Sequence, residues 1–400
     1  MSHSFSHISD IFADRGPTRY FHGRTRILRN FNNLLELAMT RDGRTTMLIQ
    51  GAPGVGKTAL LEEMAIDAME KRWSVFKINY DDLHNPVQMA QTLGKPYVAR
   101  KQASIKADGK LLGAERIKEI AGDSSVPHVL ENMNPRKGVL LVLDEAQYVG
   151  RFFNTSNESA VASTLNKLHN GELPHPTILL AAGLGVSKAS FGDLGISRFR
   201  GGCFVELGAL GKESEHAVIH DWLVKEGGAE GDSTPWIDAI AQKTHGWPQH
   251  ISAYGDVAAK QIQYDDGEMT SSGLEVVYQL GEDRREAYYE QRAEGISGRE
   301  RGSLARLIKN VAFRDGLYKE DVIEVLSQEC GDPDKAKNLF NKAVERGILH
   351  SQGEVYSTPI PSMRTWMISK YARERIIPYA SQLSPSPLHE RNSGIESREL

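Results

Sequence analysis

The stretch Met47–Leu61, MLIQGAPGVGKTALL, constrains this chain more than any other. Within it, Gly51-Ala52-Pro53-Gly54-Val55-Gly56-Lys57-Thr58 fits G-x-x-x-x-G-K-[ST] at every position. Thr46-Met47-Leu48-Ile49 before it is an apolar run of strand type, and Ala59-Leu60-Leu61-Glu62-Glu63-Met64 after it has helical character. Strand, glycine loop and helix in that order are the context the motif requires. The glycines let the backbone wrap round phosphate with its N–H groups pointing inward. The following helix adds the positive end of its dipole. The expected phosphate-binding set therefore runs through Gly51, Ala52, Pro53, Gly54, Val55, Gly56, Lys57, Thr58 and Ala59. Lys57 is expected to neutralise the β- and γ-phosphates, and the Thr58 hydroxyl to hold Mg²⁺.

A second stretch supplies the complementary chemistry. Gly138-Val139-Leu140-Leu141-Val142-Leu143 is an unbroken apolar run, as suits a strand buried on both faces of a parallel sheet. It ends in Asp144-Glu145, where the active edge of such a sheet lies. Asp144 fits the acid that orients Mg²⁺ through its waters, and Glu145 the base that positions and activates an attacking water. Trp73–Ile78, Thr177–Ala182 and Cys203–Leu207 are further candidate strands. The expected fold class is α/β, a P-loop NTPase core with a parallel sheet flanked by helices.

Length and charge bound the rest. A chain of 400 residues allows one to three domains. The net charge of −4 gives no global basic field, so any nucleic-acid contact must be local. Cys203 and Cys330 lie far apart and match no metal spacing, which points to a reducing compartment. No apolar stretch is long enough to cross a membrane, and MSHSFSHISDIF lacks the basic start and apolar core of a secretory signal. The expectation is a cytoplasmic protein with no membrane partner.

From Leu210 the pattern turns helical, over Ala217–Lys225, Trp236–Thr244 and Ile251–Ile262. A charged helix over Leu274–Glu294 follows. Leu304–Val311, Lys319–Leu326 and Asp334–Arg346 then precede a hairpin-like turn at Ser351-Gln352-Gly353, and three helices with a small hairpin make a winged helix. The expected plan is an N-terminal arm (1–18), a P-loop domain (19–209), a helical region and linker (210–295), a winged-helix domain (296–376) and a disordered tail (377–400). The third helix offers Lys335, Lys337, Asn338, Asn341, Lys342 and Arg346 to DNA, with Asp332, Asp334 and Glu345 among them. Within the segment 80–137, the stretch from Arg100 to Lys137 carries eight scattered cations interspersed with acids; the segment is either a solvated helical insert or a basic surface.

Several shorter strings carry a family resemblance. Phe21-His22-Gly23-Arg24, ahead of a helix with Ile27, Leu28, Phe31, Leu34 and Leu35, resembles the entry helix of AAA+ ATPases of the origin-recognition and STAND types. That resemblance implies that Gly23 and Arg24 line the adenine pocket. Asp144-Glu145-Ala146-Gln147 is similar to the strand end of AAA+ ATPases that load or regulate DNA machines, and it leaves Gln147 either as a reader of substrate state or as an ordinary turn residue. Ser197-Arg198-Phe199 resembles the box that carries an arginine finger, with Arg198 the first candidate and Arg200 the second, acting on a neighbouring subunit or within its own domain. Gly246-Trp247-Pro248 resembles the G-x-P element of STAND lids, which would place Pro248 near the adenine. Two departures stand out. The strand 177–182 ends in Gly183-Leu184-Gly185 where the family carries a polar sensor, with Ser187 the nearest substitute, and the lid has Gln249 and His250 where many relatives carry an arginine. The resemblance implies that 19–209 is an ATPase domain and that 210–295 forms its lid. It also implies ATP and Mg²⁺ as ligands, a homo-oligomer or a partner protein, and DNA through the winged helix. It leaves two functions open: an ATP-hydrolysing AAA+ ATPase that drives an assembly, and a STAND-type nucleotide switch that hydrolyses slowly.

Overall fold

The computed structural model describes residues 20–40, 43–78, 93, 135–151 and 156–372. The expected arm and tail, and the cationic segment apart from Leu93 and residues 135–137, lie outside the described residues. The chain divides into two compact units, Met1–Glu226 with Ile237–Ile251, and Gly227–Trp236 with Ser252–Leu400.

The first unit is built on a five-stranded parallel sheet. Its elements are α1 (Thr25–Met39), β1 (Thr46–Gly51), α2 (Lys57–Glu70), β2 (Ser74–Ile78), β3 (Val139–Leu143), a 3₁₀ turn (Ala146–Arg151), α3 (Ser156–His169), β4 (Thr177–Gly183), α4 (Ser187–Asp193), β5 (Phe204–Leu207) and α5 (Lys212–Asp221), followed by a π-turn, Trp222–Glu226. The strand order is β2-β3-β4-β1-β5. β1, β3 and β4 are buried along their whole length, as continuous apolar strands covered on both faces must be. Leu48, Leu141 and Leu179 are fully enclosed in the core that these strands share with Leu165, Leu168 and Phe191; each such side chain contributes roughly 2 kcal/mol of apolar burial. Helix α1 buries Phe31, Leu34, Leu35 and Ala38, the single stripe its periodicity predicts.

The sheet order positions the site. From β1 the chain crosses to β2 on one side, whereas from β4, its neighbour, it crosses to β5 on the other. Helices leaving adjacent strands toward opposite faces open a crevice at the carboxyl ends, and ligands of α/β sheets bind there. The register sets Gln50 opposite Gly183 and Leu143 opposite Ala181. The glycine loop after β1 and the acids after β3 therefore emerge at one edge, with β4 between them.

The boundary between the units falls within α6 (Thr234–Thr244) and α7 (Pro248–Tyr264). The second unit continues with α8 (Ser271–Arg292), α9 (Gly298–Lys309), β6 (Leu317–Tyr318), α10 (Lys319–Cys330), α11 (Pro333–Glu345), β7 (His350–Gln352), β8 (Val355–Ser357) and α12 (Pro361–Tyr371). Its helix starts are well specified. Ser297 and Glu300 form a reciprocal capping box on α9, and Asp332 accepts two backbone N–H groups ahead of Pro333 on α11. The hairpin at Gly353 is present as β7 and β8, antiparallel, and β6 pairs with β8 on its other edge. Helix α11 buries Ala336, Leu339, Phe340 and Ala343 and leaves Lys335, Lys337, Asn338 and Asn341 exposed. No helix among the described residues is long and apolar enough to cross a membrane.

Candidate nucleotide-binding and catalytic site

The glycine loop has the backbone its composition requires. Gly54 (φ 75°) and Gly56 (φ 91°) lie in the left-handed region that favours glycine. A Cβ on Gly51 would stand 2.7 Å from the Leu207 carbonyl oxygen, so this position also excludes a side chain. Helix α2 starts at Lys57 with no side-chain cap among the described residues, and the positive end of its dipole faces the loop. Lys57 folds back over the loop and donates to the carbonyls of Gly51 (2.9 Å) and Ala52 (3.0 Å). The Thr58 hydroxyl donates to Asp144 Oδ2 at 2.8 Å, while Asp144 Oδ1 accepts the N–H of Glu145 at 2.9 Å. Two hard oxygens thus converge, one from the first turn of α2 and one from the residue after β3. Among the described residues no cluster of three or more His, Cys, Asp or Glu could hold a metal. A hydroxyl beside one carboxylate fits Mg²⁺, which keeps several waters and completes its shell with substrate phosphates.

Glu145 follows directly, with φ 56°, also left-handed. Its Oε2 accepts from Gln147 Nε2 at 2.6 Å, and Gln147 Oε1 accepts from the N–H of Leu184 at 3.0 Å. The end of β4 offers no polar side chain of its own. Ser187, the nearest residue that could substitute, is fully buried beside Gly183, and its hydroxyl has no hydrogen-bond partner among the described residues. Sequence reasoning left the role of Gln147 open, because nothing in a two-residue spacing says which way the amide turns.

The entry segment holds the loop from one side. Gly23 (φ 81°) is forced, since a Cβ there would meet Ser214 Oγ at 2.3 Å. Arg24 donates to the carbonyls of Gly208 (2.6 Å), Ala209 (3.3 Å) and Val55 (3.5 Å), and burial lowers its pKa. The start of α7 holds the loop from the other side. The N–H of Gln249 donates to the Gly54 carbonyl at 3.1 Å, and Pro248 lies against Gly56. Each peptide plane sets its C=O opposite the next residue's N–H. Fixing the carbonyls of Gly54 and Val55 therefore fixes the N–H directions of Val55 and Gly56. The same turn is anchored below. Glu215, 7% exposed, accepts from the Thr244 hydroxyl and the Gly246 N–H, both at 2.5 Å, and the Leu210 N–H donates to the Gly246 carbonyl at 2.8 Å. Neither this backbone circuit nor Glu215 has a signature in the sequence.

Beside it, His22 and Lys225 both bond Asp221 Oδ2, at 2.8 and 2.7 Å. Burial pushes the Asp221 carboxyl up, but the hydrogen bonds from Lys225 and His22 outweigh it and hold the group below its ordinary value. Tyr20 donates to Glu226 and stands edge-on to Trp222, which ties the entry segment to the π-turn.

The structure brings Gly51 to Ala59, Asp144 and Glu145 to one edge, with Arg24 and Pro248 against the loop. The two arginines before β5 part company. Arg200 donates twice to the Gly43 carbonyl, whereas Arg198 is exposed on the connection between α4 and β5 and is bonded to none of these groups.

Residues 20–173 match the family model described as AAA ATPase domain. The chain carries a domain of that family, with the five-stranded parallel sheet of P-loop NTPases. Among solved structures it is similar in fold to a Walker-type ATPase of Pyrococcus abyssi (TM-score 0.58, 14% identity, covering 89% of this chain and 99% of that one). It is similar also to the ORC2 protein of Aeropyrum pernix, solved in ADPNP–ADP complexes (TM-score 0.53, 12% identity, 88% and 94% covered). A comparison with curated proteins finds no match.

Proposed function

We propose that this protein is a Mg²⁺-dependent ATPase of the origin-recognition-like or STAND type, which couples its nucleotide state to an assembly with copies of itself, a partner protein or DNA. The observation that carries the reading is the Thr58–Asp144 hydrogen bond beside Glu145, which sets a hydroxyl, an acid and a potential base at the mouth of the phosphate loop. Lys57 exchanges the Gly51 and Ala52 carbonyls for the β- and γ-phosphates, and the loop N–H groups with the start of α2 receive the remaining charge. Thr58 and Asp144 would hold Mg²⁺, which would supply positive charge against the phosphate oxygens. Glu145 takes the proton of the attacking water. Gly23 and Arg24 shape the loop and the adenine side, and Pro248 opens the helix that touches the loop. Arg198 is the arginine finger, acting in trans from its exposed connection. Residues 19–209, 210–295 and 296–376 serve as ATPase domain, lid and winged helix in a cytoplasmic protein, and the exposed face of α11 is the surface offered to DNA.

A second reading, the slowly hydrolysing switch, is favoured by one observation: the end of β4 presents Gly183 and no polar side chain to a γ-phosphate. ATP turnover by the full chain, measured with Mg²⁺ and with EDTA, tests the first reading. Multiple turnovers that need Mg²⁺ and vanish in Lys57→Ala are expected. Tight ATP binding with no turnover, with or without DNA, would transfer the conclusion to the switch.

A further inference from the structure

Gln147 has no part in the chemistry above, yet its side chain is built into the reacting edge. It is 8% exposed. A buried primary amide must find partners at both ends or lose stability. This one does: Nε2 donates to the carboxylate of Glu145 at 2.6 Å, and Oε1 accepts the N–H of Leu184 at 3.0 Å. The orientation follows from the partners, because a flipped amide would set its carbonyl against the carboxylate and its NH₂ against an N–H. The Gln147 backbone carbonyl also accepts from Ser190 Oγ at 3.4 Å.

Two further observations fit this placement. Glu145 holds φ 56°, a conformation that costs a non-glycine residue free energy and persists only when its surroundings enforce it. Gly183, at the end of β4, is the position where a side chain would collide with the amide, since a Cβ there would come within 2.7 Å of Gln147 Oε1. The glycine at the strand end therefore admits the glutamine: the polar group the strand lacks reaches the same place from the neighbouring turn. Leu184 and Ser190 begin the segment that leads on to Arg198.

We propose that Gln147 is a positioning residue, whose amide fixes one carboxylate oxygen of Glu145 to the backbone at the end of β4 and leaves the other oxygen for the attacking water. This inference rests on the reading of Glu145 as the base. Gln147→Met is the test, because it keeps length and packing while removing both hydrogen bonds, and Gln147→Glu keeps shape while setting like charges together. ATP affinity and single-turnover hydrolysis are measured on the full chain, alongside hydrogen exchange at the Leu184 N–H. The expected result is ATP affinity within about twofold of the parent and a hydrolysis rate lower by about tenfold to a hundredfold, the loss that a displaced catalytic group brings. Gln147→Glu should be slower still, and exchange at Leu184 should rise in Gln147→Met. A folded Gln147→Met protein that hydrolyses ATP at the parent rate, or faster, overturns the positioning role alone. A parent protein that binds ATP and never hydrolyses it overturns the base assignment beneath it, and the positioning role with it.

Discussion

Asp221 shows how individual side chains set the entry segment. Its carboxylate receives His22 and Lys225, and those hydrogen bonds hold its pKa below the ordinary value despite burial. A depressed folded pKa adds stability that is present above the unfolded value and is lost as pH falls through the folded one. Asp221→Asn should therefore melt lower than the parent at pH 7, by about 1 kcal/mol for a partly exposed pair, and the difference should shrink in melts below about pH 4. A gap independent of pH would show that packing, not charge, is lost. Arg24 makes a different contribution. Its fork reaches the carbonyls of Gly208, Ala209 and Val55, and a lysine cannot span that set. Arg24→Ala and Arg24→Lys should both weaken ATP binding, by roughly three- to tenfold if one oriented N–H is lost, in titrations of the folded protein. Equal affinity in all three proteins would remove Arg24 from the loop's support. The resemblance implied that Gly23 and Arg24 line the adenine pocket, but no sequence pattern could show that Arg24 acts on backbone carbonyls, because carbonyls look alike in every residue.

Among elements, β1, β3 and β4 were legible because strands buried on both faces must be apolar throughout, and theirs are. Their order was not, since no local pattern records that β4 lies between the phosphate loop and the acids. β6 escaped because two residues, Leu317 and Tyr318, carry no periodicity. The turn before α7 was readable only as a string, Gly246-Trp247-Pro248. The structure adds its reason. Gly246 has φ 72°, and a Cβ there would stand 2.4 Å from the Leu210 carbonyl. Gly246→Ala should destabilise the first unit by about 1–3 kcal/mol and loosen the Gln249–Gly54 bond, seen as faster amide exchange at Gln249. An unchanged melt and unchanged exchange would show that the turn tolerates a side chain and does not steady the loop.

For the whole molecule, the exposed Arg198 and the retained acids make opposite demands on two variants. Arg198→Ala should bind ATP normally and hydrolyse it slowly, and mixing it with Glu145→Gln should restore part of the turnover at composite sites, with light scattering reporting ATP-dependent mass. No recovery on mixing would place any arginine finger in the same chain as its ATP. The most direct measurement concerns the two acids in this 400-residue chain: ATP affinity with and without Mg²⁺, then single-turnover hydrolysis, for the parent, Glu145→Gln and Asp144→Asn. Glu145→Gln should bind ATP with its Mg²⁺ dependence intact and hydrolyse it about a hundredfold more slowly or worse, as removal of a general base requires, whereas Asp144→Asn should lose the Mg²⁺ dependence itself. Hydrolysis by Glu145→Gln at the parent rate would contradict the assignment of this strand end.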